Sequence, residues 1–387
     1  MAGMNGASTV GQHRKTMFIT IAFGAKEEEK AMDIPKKMRA AVLYGLEDIR
    51  VVERDVPVPA EYEVLIKVES CGVCGGDVKI ISRGIPNMPP FGEFIIGHEY
   101  SGVIVKKHPS VHEFEIGDRV TVEVHKGCDR CQNCRQGMYT ACLNYGNKEM
   151  GHRANGFTTN GGFAEYVVNH VNTLTKMPDN ITFDQAAIVT TAGTPLFGIE
   201  KMGGWIAGFS VAVIGPGAIG LMAVQSAKAL GADKVILTGT RDDRLELGAS
   251  LGADHTVNSK KEDVVKKVKE YTNGLGADLT LVAAGSSEAL QTAIEITRRG
   301  ANMVLLAHFD DPINNVDIGA AVFRGMSIYT VRGEGSSTVK SALSLMHRGL
   351  INADPLITHH FSLDDINEAF RTFRAREANA LKVIVKP

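Results

Sequence analysis

The chain has 387 residues, 44% of them hydrophobic, which is enough for two domains with separate buried cores. Its 42 Lys and Arg nearly balance 44 Asp and Glu, and no basic block stands out, so a nucleic-acid partner is not expected and a small-molecule partner is. No apolar run approaches the roughly 20 residues that cross a bilayer, so no membrane partner is expected and the protein is read as cytoplasmic.

At the N-terminus, His13-Arg14-Lys15 followed by Met17 to Gly24 faintly imitates an export signal, but the apolar run is minimal and Glu27, Glu28 and Glu29 follow it. Residues 1–37 are expected to be a disordered extension or the result of an over-long start, since Met32 and Met38 stand just before the first strand-like segment. From Met38 to about Val171 the pattern is short and β-rich. Arg39 to Leu43, Glu63 to Val68, Tyr100 to Val105 and Asp118 to Val122 read as strands separated by Gly and Pro.

All six cysteines lie between residues 71 and 142, a clustering that points to metal and away from a disulfide framework. Cys128, Cys131, Cys134 and Cys142 place four soft ligands in one tight loop. That set suits a closed tetrahedral zinc site with no open position for chemistry; an iron–sulfur cluster is the alternative that four thiolates alone leave open.

From about Gly193 the rhythm changes to apolar strands alternating with helical stretches. Val211 to Ile214, Val235 to Leu237, Leu279 to Ala283 and Met303 to Leu306 lack polar alternation, as strands of a parallel sheet buried on both faces do, so this half reads as a doubly wound α/β domain. The first of them runs into Gly215-Pro216-Gly217-Ala218-Ile219-Gly220, followed by a helical pattern with Ile219, Met222, Ala223, Ala227 and Leu230 on one face. Strand, glycine fingerprint and helix in succession form a dinucleotide site, because the glycines let the backbone approach a pyrophosphate at the helix N-terminus.

At the end of the second strand, where an NAD enzyme offers a carboxylate to the ribose, the chain has Gly239-Thr240-Arg241. A guanidinium there favours a 2′-phosphate and hence NADP. The competing reading leaves Arg241 in solvent and turns Asp242 or Asp243 to the ribose. Further on, Thr338 to His347 and Leu363 to Arg376 read as helices and Leu381 to Val385 as a last strand.

Two further clusters are Cys71-Gly72-Val73-Cys74-Gly75-Gly76-Asp77 and Gly97-His98-Glu99. Together with the four-cysteine lobe, the fingerprint, Gly161 to Tyr166 and Phe361 to Phe370, in this order, they resemble the zinc-dependent medium-chain dehydrogenase/reductase family, particularly its polyol and threonine dehydrogenase branch. The resemblance spans about residues 38–387. It implies a GroES-like β-rich catalytic domain plus a Rossmann domain. The division would be 38–190 with the lobe at 128–142, 191–332 for the cofactor, and 333–387 returning to the catalytic domain.

The resemblance also implies two zinc ions per chain and a homodimer or homotetramer. Cys74 and His98 would be catalytic zinc ligands, Glu99 a nearby or direct ligand, Asp77 the carboxylate orienting His98, and Cys71 a bystander. A thiolate and an imidazole hold zinc, and an acceptor behind the imidazole fixes its tautomer.

Two departures stand out. The family's Ser or Thr two residues after the ligand cysteine, a proton relay, is Gly76, and its third protein ligand falls on Thr190 or Thr191. With Glu99 coordinating, the thiolate and carboxylate balance the metal's charge and a fourth position stays open. Of the other histidines, His152 is expected near the pocket and His308 at the edge of the cofactor site. The implied activity is reversible hydride transfer between a secondary alcohol, polyol or sugar-like, and NAD(P). Vicinal diols are favoured because a neighbouring hydroxyl replaces the lost relay. The rivals are a zinc-independent NADPH reductase of the same superfamily and a non-catalytic NADPH-binding protein.

Overall fold

The computed structural model describes residues 33–335 and 337–387; the export-like pattern and most of the expected N-terminal extension lie outside them. The strand Lys37–Gly45 already includes Lys37, Val56 N–H donates to the Lys36 carbonyl at 3.1 Å, and Lys37 pairs with Asp55 at 2.9 Å.

The β-rich half is built on a seven-stranded sheet. Its path runs Leu174–Lys176, Arg119–Val122, Glu99–Lys107, Glu63–Gly72, Lys382–Lys386, Ile357–Ser362, and Tyr166–His170 also pairs with Glu63–Gly72. A smaller sheet joins Asp48–Asp55, Lys37–Gly45 and Phe94–Ile95. Val64, Ile66, Ile104 and Val120 are wholly buried and close one core with Phe163 and Phe370. The C-terminal strand reaches this core from the far end of the sequence, with Ile384 opposite Gly72 and Val385 opposite Cys71.

The α/β half is a six-stranded parallel sheet of Ser210–Ile214, Lys234–Gly239, His255–Asn258, Ala277–Val282, Thr297–Leu305 and Ser327–Thr330. Numbered along the chain, its spatial order is 3-2-1-4-5-6, the doubly wound arrangement whose crevice at the carboxyl end of strand 1 takes a dinucleotide. Because side chains alternate across a strand, Val211 and Val213 enter one apolar cluster with Leu237 and Leu281, while Ala212 and Ile214 enter another with Ile236 and Val282. Both faces are thus covered, which is why these strands carry no polar alternation.

Val189–Lys201 joins the halves. Its first turn carries Thr190 and Thr191, and further on Leu196 and Ile199 join the cluster on the parallel sheet. Thr338–His347 packs beside it through Val339, Ala342 and Leu343. The expected helix from Leu363 resolves into a 3₁₀ turn, Leu363–Asp365, and a helix, Ile366–Ala375, which Arg376 ends in the left-handed conformation at φ 54°. Among the described residues no helix is long and apolar enough to cross a membrane.

Candidate active site

The four lobe cysteines lie with their sulfur atoms within 4.8 Å of one another around the short helix Gln132–Arg135. The Cys128 and Cys134 sulfurs are 4.0 Å apart and those of Cys131 and Cys142 3.9 Å, close to the edge of about 3.8 Å in a tetrahedron with metal–sulfur bonds of about 2.3 Å. Cys131 N–H donates to Cys128 Sγ at 3.3 Å and Cys134 N–H to Cys131 Sγ at 3.4 Å, while Asn144 Nδ2 donates to Cys128 Sγ at 3.2 Å. Such donors favour thiolates, so the donor set fits a structural metal ion.

A second cluster brings Cys74, His98 and Glu99 together, again with ligand atoms within 4.8 Å. Cys74 caps the helix Gly75–Arg83, and Asp77 on its first turn accepts from Cys74 N–H at 3.0 Å through one oxygen. Its other oxygen lies 3.0 Å from His98 Nδ1, which leaves His98 Nε2 for a metal. One carboxylate therefore positions both ligands. Burial opposes a charge on His98, yet Asp77 and the Cys74 sulfur hold its basicity well above the usual value. Cys71 is absent from the cluster; burial raises its thiol well above the ordinary range, consistent with an inert packing group.

Glu99 does not stand alone. Lys382 Nζ donates to its two oxygens at 2.7 and 2.5 Å, and Thr191 Oγ1 donates to one of them at 3.3 Å. Both charged side chains are only 5% exposed. With a Cys74 thiolate, the buried charges of Asp77 and Glu99 less that of Lys382 leave two negative charges, the complement of one zinc ion. Of the two positions on which the missing ligand falls, Thr191 touches the cluster through Glu99, while the Thr190 carbonyl accepts from Thr194 Oγ1 at 3.1 Å.

Gly76 leaves little room for a side chain. A Cβ there would stand 3.1 Å from His98 Cε1 and 3.3 Å from Phe157 Cζ, and the Phe157 ring lies 4.6 Å from that of His98. Behind Phe157 come His125, Tyr145 and His152. Burial and nearby cations lower His125 to about 3 and His152 to about 4, so both imidazoles are neutral near pH 7. His152 is wholly buried among these aromatics, while exposed His308 lies near Lys79 and Asp310.

At the parallel sheet, Gly215 has φ +100° and Gly217 caps the helix Ala218–Ala229. A Cβ on Gly220 would lie 1.9 Å from the Gly215 carbonyl, and one on Gly239 would lie 2.4 Å from Pro216, so both close approaches require glycine. After Thr240, Arg241 is not free in solvent: Nη2 donates to Asp243 at 2.7 Å and to Asn379 Oδ1 at 2.6 Å. Asp242 is held by Lys261 and the Asn258 amide, each at 2.7 Å. Both carboxylates of the competing ribose reading are therefore already engaged.

Sequence reasoning missed Lys382 and Phe157. A lysine second in the otherwise apolar run Leu381 to Val385 was the one visible signal, since a buried lysine needs a partner.

Residues 60–179 match the family described as Alcohol dehydrogenase GroES-like domain, and residues 218–348 the family Zinc-binding dehydrogenase. The chain is 33% identical over 358 residues to L-threonine 3-dehydrogenase of Pyrococcus abyssi, covering 90% of this chain and 98% of that one. It is 29% identical over 355 residues to sorbitol dehydrogenase of Bacillus subtilis, covering 92% and 98%. A Sinorhizobium meliloti structure solved with NADP superposes with a TM-score of 0.82 at 28% identity, covering 91% of this chain and all of that one.

Proposed function

The chain belongs to the zinc-binding, medium-chain alcohol dehydrogenase family, and on that premise we propose that it oxidises a secondary alcohol of the polyol or sugar type with NADP, reversibly. The observation that carries this reading is the Cys74, His98 and Glu99 cluster with Asp77 behind His98. Cys74, His98 and Glu99 would hold a zinc ion that would supply Lewis acidity toward the substrate oxygen, and NADP at the Gly215 to Gly220 turn would supply the hydride acceptor.

The chain's own residues do the rest. Asp77 fixes the His98 tautomer and the Cys74 backbone, Lys382 holds Glu99 beside them, and the Phe157 ring keeps water from the His98 face. The carbinol carbon gives up a hydride, and the hydroxyl proton leaves through water, a neighbouring substrate hydroxyl or Glu99, since Gly76 has no side chain to carry it. NADP is supported by the Arg241 guanidinium after Gly239-Thr240, where Asp243 is already paired with Arg241 and Asp242 with Lys261.

We assign residues 38–190 and 333–387 to the catalytic part and 191–332 to the cofactor part. A homodimer is supported by the apolar surface beside the edge strand Ser327–Thr330, where Ile318, Val322, Phe323 and Ile328 are exposed. Six free cysteines suit a cytoplasmic setting. Elemental analysis together with a screen of alcohols and polyols against both cofactors tests the reading: two zinc ions per chain and NADP-linked turnover are expected. The Glu99–Lys382 pair and Thr190 favour one rival, a reductase keeping only the lobe metal. One zinc per chain with undiminished turnover would establish it.

A further inference from the structure

At the carboxyl end of the second parallel strand, beside Gly239, the cofactor half meets the C-terminal return. Arg241 donates through Nε and Nη2 to the two oxygens of Asp243, and a second time through Nη2 to Asn379 Oδ1 at 2.6 Å. Its Nη1, with two N–H groups, meets no acceptor among the described residues. A guanidinium only donates, so the atom that Asn379 turns to Arg241 is its oxygen. The Asn379 amide Nδ2 is thereby left as a further donor with no acceptor among the described residues.

The turn that carries Asn379 is held in place from the cofactor half. Buried Arg244 donates through Nη2 to the carbonyls of Asn379 at 2.5 Å and Ala380 at 2.9 Å. Arg376, Ala378 and Asn379 keep left-handed backbone, at φ 54°, 41° and 62°. Residues with side chains adopt such conformations only where neighbouring contacts impose them, often at ligand sites.

The charge of this corner is unbalanced. Burial, and then the charges of Arg241 and Arg376, lower the basicity of Arg244, so three guanidinium groups lie close together. Exposed Arg376 is paired with no carboxylate among the described residues, whereas Glu377 is taken by Arg371 and Asp242 by Lys261. Asp243 alone faces the three guanidinium groups, which leaves two positive charges, the complement of a phosphate monoester carrying about 1.5 to 2 negative charges near pH 7. A ribose hydroxyl offers no such charge.

We propose that Arg376 and Asn379, carried by the C-terminal return, are specificity-determining residues that complete with Arg241 a site for the 2′-phosphate of NADP, so that the phosphate bridges the two halves of the chain. Arg241 offers Nη1, Asn379 offers Nδ2 and Arg376 offers its unpaired guanidinium. The inference rests on the NADP reading above and adds to it two residues from outside the parallel-sheet half.

The test is calorimetric and needs no turnover: adenosine 2′,5′-bisphosphate against 5′-AMP, with wild type, Arg376→Gln and Asn379→Gly. Both positions are exposed, and glycine keeps the left-handed backbone while removing the amide. Wild type is expected to bind the bisphosphate at least roughly tenfold tighter than 5′-AMP, the scale of a charged hydrogen bond. Each variant is expected to lower that ratio by roughly threefold or more, the smaller scale of a partly exposed contact. Arg376→Lys, which keeps the charge, is expected to recover part of the ratio. A ratio within twofold of wild type in either variant, including an equal loss for both ligands, marks a merely structural turn and overturns the inference while leaving the NADP reading in place. A wild-type ratio near one overturns the NADP reading, and the site with it.

Discussion

Lys382→Met removes one half of an ion pair in which both side chains are 5% exposed, leaving the Glu99 carboxylate buried beside the metal cluster with only Thr191 to donate to it. Breaking a buried pair from one side costs about 3–5 kcal/mol. With an unfolding entropy of about 2.1 cal/mol/K per residue, a chain of this size loses about 4–6 °C in Tm. Two further signatures separate this from ordinary packing loss. The double variant Glu99→Gln with Lys382→Met removes both charges and is expected to recover most of the loss. Zinc supplies a counter-charge to the stranded carboxylate, so the metal-free single variant is expected to lose more than the zinc-loaded one. Calorimetric melting of both forms at fixed pH reads all of this. A single variant within about 1 °C of wild type, or a double variant no better than the single, would show that the pair does not hold Glu99 in place.

Cys131→Ser is expected to lower thermal stability and disturb assembly more than it alters the chemical step, because a structural site contributes folding free energy; a stable, fully folded variant with abolished turnover would contradict this. Gly76→Ser, aimed at restoring the missing relay, is expected to reduce turnover by crowding His98 and Phe157, with Phe157→Ala in the same chain relieving the loss; full activity of the serine variant would disprove the contact. Arg241→Ala is expected to weaken NADPH binding by roughly tenfold, the scale of a charged hydrogen bond, and leave NADH nearly untouched, read by fluorescence titration. Folded His125 is depressed to about 3 against an ordinary 6.5, so it stays neutral while the unfolded chain takes up a proton. Its contribution is intact above pH 6.5 and falls by about 1.4 kcal/mol for each unit of pH below that, and His125→Phe should flatten this limb of urea-denaturation curves.

The parts of the fold that depend on local patterning were legible in the chain. Unbroken apolar strands at Val211 and Leu279 declared a sheet covered on both faces, and Thr338–His347 lies where its apolar spacing put it. The four cysteines announced their site by spacing alone, and the order of motifs revealed Cys74, His98 and Asp77. What escaped depends on contacts between distant segments. Lys382 meets Glu99 across 283 residues of chain, and no local signal links the two. Gly76 read only as a lost relay, because the ring packed against it belongs to a loop 81 residues later. The helix Gly75–Arg83 begins with glycines of low helix propensity and is held by the Cys74 and Asp77 cap, so periodicity gave it no weight.

The central claim, that Cys74 and His98 hold a catalytic zinc distinct from the one in the cysteine lobe, is tested most directly by zinc per chain in wild type and Cys74→Ser. The lobe lies apart from Cys74, so the variant should fold, with zinc falling from two per chain to one and alcohol oxidation lost. A Cys74→Ser enzyme that still carries two zinc ions, or that oxidises alcohols at the wild-type rate, would contradict it.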